Sequence, residues 1–94
     1  MNGIEEVLSP ENLTVSGGPR IVEVDWWKII DSIGDPAIQV LAVLDDSTTD
    51  EERSAKPTME IALKAMKQLN ARGIEEFPYF RFITRSELLS ERAA

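Results

Sequence analysis

AIQVLAVL (residues 37–44) is the stretch that decides the fold of this chain. Gln39 is the only polar residue in this run. A strand that is covered on both faces has such a continuous apolar sequence, whereas a strand with one solvated face alternates between apolar and polar residues. The run therefore predicts a strand near residues 37–44 at the centre of a sheet.

The segment that follows this strand predicts a long amphipathic helix. In PTMEIALKAMKQLNARG (57–73), apolar residues recur at a spacing of three and four, which places them on one side of a helix near 57–72. The connection over residues 45–77 is long enough for a crossover between two parallel strands.

PYFRFIT (78–84) has the alternating pattern of a third strand. Because neighbouring side chains in a strand point to opposite faces, Tyr79 and Arg81 are predicted to share the face opposite Phe80 and Phe82.

A final helix is predicted near residues 85–92. Thr84 and Glu87 have the spacing of a capping box, in which each side chain accepts a hydrogen bond from the backbone of the other residue. The helix therefore begins directly after the third strand.

The segment before the central strand predicts a short strand and a short helix. IVEVD (21–25) alternates between apolar and acidic residues, as a half-buried strand does. In the next residues, a helix near 26–33 is favoured by four apolar side chains at helical spacing, Trp26, Ile29, Ile30 and Ile33. Gly34 is suited to end this helix in a left-handed conformation.

These elements predict a single small α/β domain over residues 20–94, built on a three-stranded, mostly parallel sheet. Ninety-four residues are too few for two separate hydrophobic cores. SGGP (16–19) interrupts any regular element, so residues 1–19 are predicted to form a loosely structured arm.

RGIEEFPYFRFI (72–83) is similar to the segment of thioredoxin-like domains in which a proline introduces a strand beside the active site. The resemblance implies a thioredoxin-like fold as the alternative, with Pro78 at the position of that family's cis-proline. The chain has no cysteine and so lacks the family's redox motif. Thiol chemistry therefore does not follow from the resemblance.

The composition excludes several kinds of chemistry. The chain has neither cysteine nor histidine, which removes disulfides, thiolate catalysis, imidazole metal ligands and the usual proton shuttle near neutral pH. We therefore expect no cofactor. The absence of cysteine and of an apolar leader favours a cytoplasmic location.

The net charge of −7 is concentrated in one half of the chain. Residues 1–52 contain twelve acidic and two basic residues, whereas residues 53–94 contain five acidic and eight basic ones. Neutralisation of phosphates by basic side chains supplies most of the affinity for nucleic acids. Because this protein is acidic, we expect no direct nucleic-acid binding. No apolar run approaches the length of a membrane span, so we expect no membrane partner.

VLDDSTTDEERS (43–54) carries the densest group of acidic and hydroxyl residues, and it favours a capped loop over a metal site. The stretch lacks the glycine and glutamate that a calcium-binding EF-hand loop places at fixed positions. Capping boxes are available instead through Thr48 with Glu51 or through Thr49 with Glu52.

The sequence favours a non-catalytic protein-interaction or regulatory module, of the accessory, immunity or inhibitor type. Its partner would be another protein, which the sequence does not identify. Candidate contact residues are those of the types enriched at binding hot spots, namely Trp27, Tyr79, Arg81 and Arg85. No catalytic and no metal-binding residue is predicted.

Two other functions stay open at this point. One is a small-ligand or phosphate-binding domain that uses Arg81, Arg85 or the start of a helix as its anion site. The other is an enzyme that depends on carboxylates alone, for which Asp45 and Asp46 would be the acid and base.

Overall fold

The computed structural model describes residues 3–93 and contains one three-stranded sheet. The strands are β1 (Ile21–Ile30), β2 (Pro36–Leu44) and β3 (Phe77–Thr84), and β2 lies between the other two. The prediction of a central strand at 37–44 is therefore confirmed. Residues 1, 2 and 94, which belong to the predicted arm and domain, lie outside the described residues.

Four helices accompany the sheet. They are α1 (Ile4–Val7), α2 (Pro10–Leu13), α3 (Ala55–Ala71) and α4 (Arg85–Ala93). The predicted helices near 57–72 and 85–92 correspond to α3 and α4. No helix within residues 3–93 is long and apolar enough to cross a membrane.

The helix predicted near 26–33 is wrong, because these residues continue β1 and then turn. Trp26 to Ile30 pair with β2 in an antiparallel hairpin. Asp31 closes the turn, since its side chain accepts hydrogen bonds from the backbone amides of Ile33 (3.1 Å) and Asp35 (2.9 Å). Gly34 does adopt the expected left-handed conformation, at φ 89°, but within this turn.

The sheet is consequently mixed rather than mostly parallel. β1 and β2 are antiparallel, and only β2 and β3 are parallel. The thioredoxin-like alternative implies a cis-proline at Pro78, whereas the described residues contain no cis peptide bond.

The main core lies on one face of the sheet, between β2 and α3. Four side chains of β2 point to this face, Ile38, Val40, Ala42 and Leu44. They pack against the buried stripe of α3, which consists of Ile61, Ala65 and Leu69. Alternate residues of a strand point to the same face, so the even-numbered residues of β2 from Ile38 to Leu44 all lie in this core.

The N-terminal arm contributes to the same core, although the sequence predicts a loosely structured segment over residues 1–19. Ile4, Val7, Leu8 and Leu13 are all buried in the cluster formed by β2 and α3. Ser9 caps α2, because its hydroxyl accepts a hydrogen bond from the Asn12 amide at 3.3 Å. Two short helices persist here because tertiary packing stabilises them.

The opposite face of the sheet is covered only in part, by α4. Leu88 of this helix packs against Leu41, Val43 and Ile83 in a second, smaller apolar cluster. The predicted capping box is confirmed, since the Thr84 amide donates to Glu87 at 2.9 Å and the Glu87 amide donates to Thr84 Oγ1 at 3.3 Å.

Candidate functional site

The part of the sheet that α4 does not cover forms an exposed surface, which we call the open face. It consists of Trp27, Ile29, Gln39, Phe77, Tyr79 and Arg81. Strand register explains this grouping, because Trp27, Gln39 and Tyr79 are direct neighbours across the three strands. Ala37, between Ile29 and Phe77 in the next row, is only 1% exposed.

Three aromatic side chains give the open face its character. Trp27 is 45%, Phe77 49% and Tyr79 40% exposed, which is a large apolar area for side chains held on strands. The rings of Phe77 and Tyr79 are in edge contact, with centroids 4.8 Å apart. Aromatic groups gain more free energy from desolvation than most side chains when a partner covers them.

The structure brings together three of the four predicted contact residues. Trp27, Tyr79 and Arg81 all lie on the open face, although they come from opposite edges of the sheet. Arg85 does not join them, because it starts α4 at the end of the sheet where β2 and β3 stop.

The two tryptophans lie on opposite faces of the sheet. Trp26 packs against the main core, whereas Trp27 points to the open face. The two side chains diverge because neighbouring residues of a strand alternate between the faces of the sheet.

Tyr79 connects the open face to the hairpin turn. Its hydroxyl donates to Asp31 Oδ2 at 3.2 Å, and its backbone carbonyl accepts a hydrogen bond from Gln39 Nε2 at 3.0 Å. Burial and the nearby Asp31 charge raise the pKa of the Tyr79 hydroxyl. The pKa of Asp31 is lowered, chiefly by its hydrogen bond from the Asp35 amide. The turn and the aromatic surface are thus held in one arrangement.

The arginine of the open face already has a carboxylate partner. Arg81 forms a salt bridge with Glu91 of α4, and both side chains are about half exposed. Arg53, beside the same helix, likewise pairs with Glu87 at 3.2 Å. Arg81 and Arg53 therefore carry little unbalanced positive charge.

The start of α4 is also occupied by the chain's own acids. Asp46 accepts hydrogen bonds from the Ser86 amide at 2.9 Å and from the Ser86 hydroxyl at 2.6 Å. These bonds, with a smaller contribution from the Arg85 charge, lower the pKa of Asp46. A bound anion at this helix start would have to displace a carboxylate that is held in place.

The acidic stretch is organised as a capped loop. Asp45 accepts hydrogen bonds from the amide and hydroxyl groups of Ser47, so it is directed away from the Ser86 site of Asp46. The second predicted capping box is confirmed, because Thr49 and Glu52 exchange bonds of 2.8 and 3.2 Å. Within residues 3–93, no three acidic residues are arranged to hold a metal ion.

Ile29, Gln39 and Phe77 also belong to this surface, although the sequence does not identify them as contact residues. The sequence predicts a helix for Ile29, so the face of the sheet on which it lies could not be predicted. Gln39 did carry a signal, since it is the single polar residue of the central strand and it occupies the middle of the open face. A polar break in an otherwise apolar strand indicates where one face is left uncovered.

Several carboxylates make the stability of the fold depend on pH. The pKa values of Asp31, Asp45, Asp46 and Glu87 are all lowered, each mainly by hydrogen bonds that the folded chain provides. A lowered folded-state pKa stabilises the fold above the unfolded value, and this contribution is lost as the pH falls through the folded-state pKa.

We therefore expect the urea midpoint to be constant from pH 7 down to about pH 5 and to fall as the pH drops below about 4. Asp46→Asn should be less stable than the wild type at pH 7, and the difference should shrink as the pH falls below about 4. A midpoint that rises on acidification would contradict this assignment of the hydrogen bonds.

The chain matches no protein-family model, and no curated protein or solved structure is significantly similar to it.

Proposed function

We propose that this protein is a non-catalytic protein-interaction module whose contact surface is the open face. The observation that supports this most is the group of three exposed aromatic side chains, Trp27, Phe77 and Tyr79, on one side of the sheet. Large exposed apolar surfaces on a small domain mark interaction sites more often than isolated apolar residues do.

The geometry of the open face favours tight contact. Its side chains are carried by strands, and Tyr79 is further held by Asp31 and Gln39. A surface that is ordered before binding loses little conformational entropy when a partner covers it. Trp27 and Tyr79 are residue types that often dominate binding energy. They lie in the same row of the sheet, separated by Gln39.

The non-catalytic part of the proposal is supported by composition and by the acidic loop. The chain contains no histidine and no cysteine. Asp45 and Asp46, the candidate acid and base, each bind a different serine and do not share one site. Phosphate binding is less favoured than protein binding, because Arg81 is paired with Glu91 and Asp46 occupies the start of α4.

The proposal can be tested by affinity capture from native lysate with three baits, the wild type, Trp27→Ala and Met59→Ala. Met59 is 61% exposed and lies on α3, on the other side of the sheet, so it is a matched control for the loss of an exposed apolar side chain. We expect one protein to bind the wild type and Met59→Ala with similar affinity. Trp27→Ala should weaken this binding at least tenfold, or about 1.4 kcal/mol.

If all three baits retain the captured protein equally, the open face is not the contact surface. Circular dichroism and thermal melting of the baits provide the control for folding, since Trp27 is half exposed and its removal should change the melting temperature little.

A further inference from the structure

We propose that the segment bound by the open face is a basic amphipathic helix of another protein. This inference rests on the function proposed above and adds the chemistry of the partner. It follows from the charges that border the open face and from the space that α4 leaves on the sheet.

The charged groups around the open face are mostly acidic. Asp25 lies on the same face as Trp27, two residues away on β1, and Asp31 borders the face at the hairpin turn. Arg81 is the basic residue of the open face, and its charge is balanced by Glu91. A partner that covers the aromatic side chains therefore meets unbalanced negative charge at the rim, which lysine or arginine side chains would complement.

The shape of the surface suits a helix. α4 packs through Leu88 on the end of the sheet that contains Val43 and Ile83. The uncovered remainder is three strands wide, or about 14 Å, and one helix with its side chains is about 10–12 Å across. A helix lying beside α4 would complete the second layer that this face lacks, with its apolar side chains on Trp27 and Tyr79.

A second copy of the chain fits this surface less well. Two open faces brought together would place the acidic rims of both copies, including Asp25 and Asp31, against each other. The whole chain carries a net charge of −7, so long-range repulsion also opposes self-association. Charge complementarity thus favours a basic partner over a homodimer.

The test uses two labelled synthetic peptides of roughly 18 residues with leucines at helical spacing, one with lysine and one with glutamate at the polar positions. Fluorescence anisotropy measures their binding to the wild type. We expect the lysine peptide to bind at least tenfold more tightly than the glutamate peptide. We also expect its affinity to fall as the salt concentration rises, because screening weakens attraction between exposed charges.

Matched variants separate binding at the open face from general attraction to an acidic protein. Trp27→Ala should weaken binding of the lysine peptide at least tenfold, whereas Met59→Ala should leave this affinity unchanged. Asp25→Lys should weaken binding of the same peptide at least threefold. Glu60→Lys makes the same change in net charge on the exposed side of α3 and should reduce the affinity by less than half as much as Asp25→Lys. Asp25→Asn provides a milder variant if the reversal disturbs folding.

Three results would overturn the inference. These are equal binding of the two peptides, equal effects of Asp25→Lys and Glu60→Lys, and a wild-type dimer in sedimentation that Trp27→Ala dissociates. Capture of a natural partner that binds the open face through an acidic or uncharged segment would remove this inference and leave the proposed function intact. If Trp27→Ala affects neither the peptide nor any captured protein, both proposals fail.

Discussion

Ile38→Ala is expected to lower the free energy of unfolding by about 2–5 kcal/mol, which is a large share of the stability of a domain this small. Ile38 is completely buried on β2, in the cluster that joins the sheet to α3 and the N-terminal helices. Its truncation removes apolar contacts and leaves a cavity that the surrounding strands cannot fill by small movements. Urea unfolding followed by circular dichroism measures the change.

Ile33→Ala is the matched control, because it makes the same substitution at a side chain that is 80% exposed. It should change the free energy of unfolding by less than about 0.5 kcal/mol. This control also tests the hairpin directly. In the helix predicted near 26–33, Ile33 would belong to the buried stripe, so a loss above about 1 kcal/mol would favour that helix over the turn.

The helix prediction failed because the segment satisfies two periodicities at once. Trp26, Ile29, Ile30 and Ile33 have helical spacing, yet the β-hairpin buries Trp26 only in part and leaves Ile30 and Ile33 exposed. Tryptophan and isoleucine also favour strands, and a two-turn helix has little stability of its own. The neighbouring strand β2 offers ladder hydrogen bonds all along this segment, and that tertiary partner is not visible in local spacing.

The elements that were predicted correctly have signals within their own sequence. β2 is a continuous apolar run, and α3 combines an amphipathic stripe with Gly73 and Ile74 at its end. The backbone amide of Ile74 returns to Leu69 at 3.0 Å, as a helix ending of this kind requires. α4 follows from the capping box of Thr84 and Glu87. These features depend on residues a few positions apart, so one sequence suffices to identify them.

The open face was predictable only in part. Tyr79 and Arg81 could be assigned to one face because they are two residues apart on one strand. That Trp27 joins them depends on the antiparallel register of β1 with β2, which places Trp27 opposite Gln39. This register follows from the pairing of residues 26–30 with β2, a segment for which the sequence predicts a helix. The residue types of a binding surface were thus accessible from the sequence, whereas its assembly was not.

Leu13→Ala is expected to lower the free energy of unfolding by about 2–5 kcal/mol, although Leu13 lies in a segment that resembles a loose arm. Leu13 is completely buried and belongs to the same cluster as Ile38. A side chain in an unpacked arm would contribute almost nothing to the free energy of unfolding. This substitution therefore distinguishes an arm that packs in the core from a mobile one. Thermal and urea unfolding of the variant provide the measurement.

Leu89→Ala is the control for this substitution, since Leu89 is 59% exposed on α4. If the two variants lose the same small amount of stability, the N-terminal helices are not part of the core. If Leu13→Ala is much the more destabilising, the arm is what completes the covered face of the sheet. That outcome has a consequence for function, because a sheet with one face closed by the arm and α3 presents a single exposed surface to a partner.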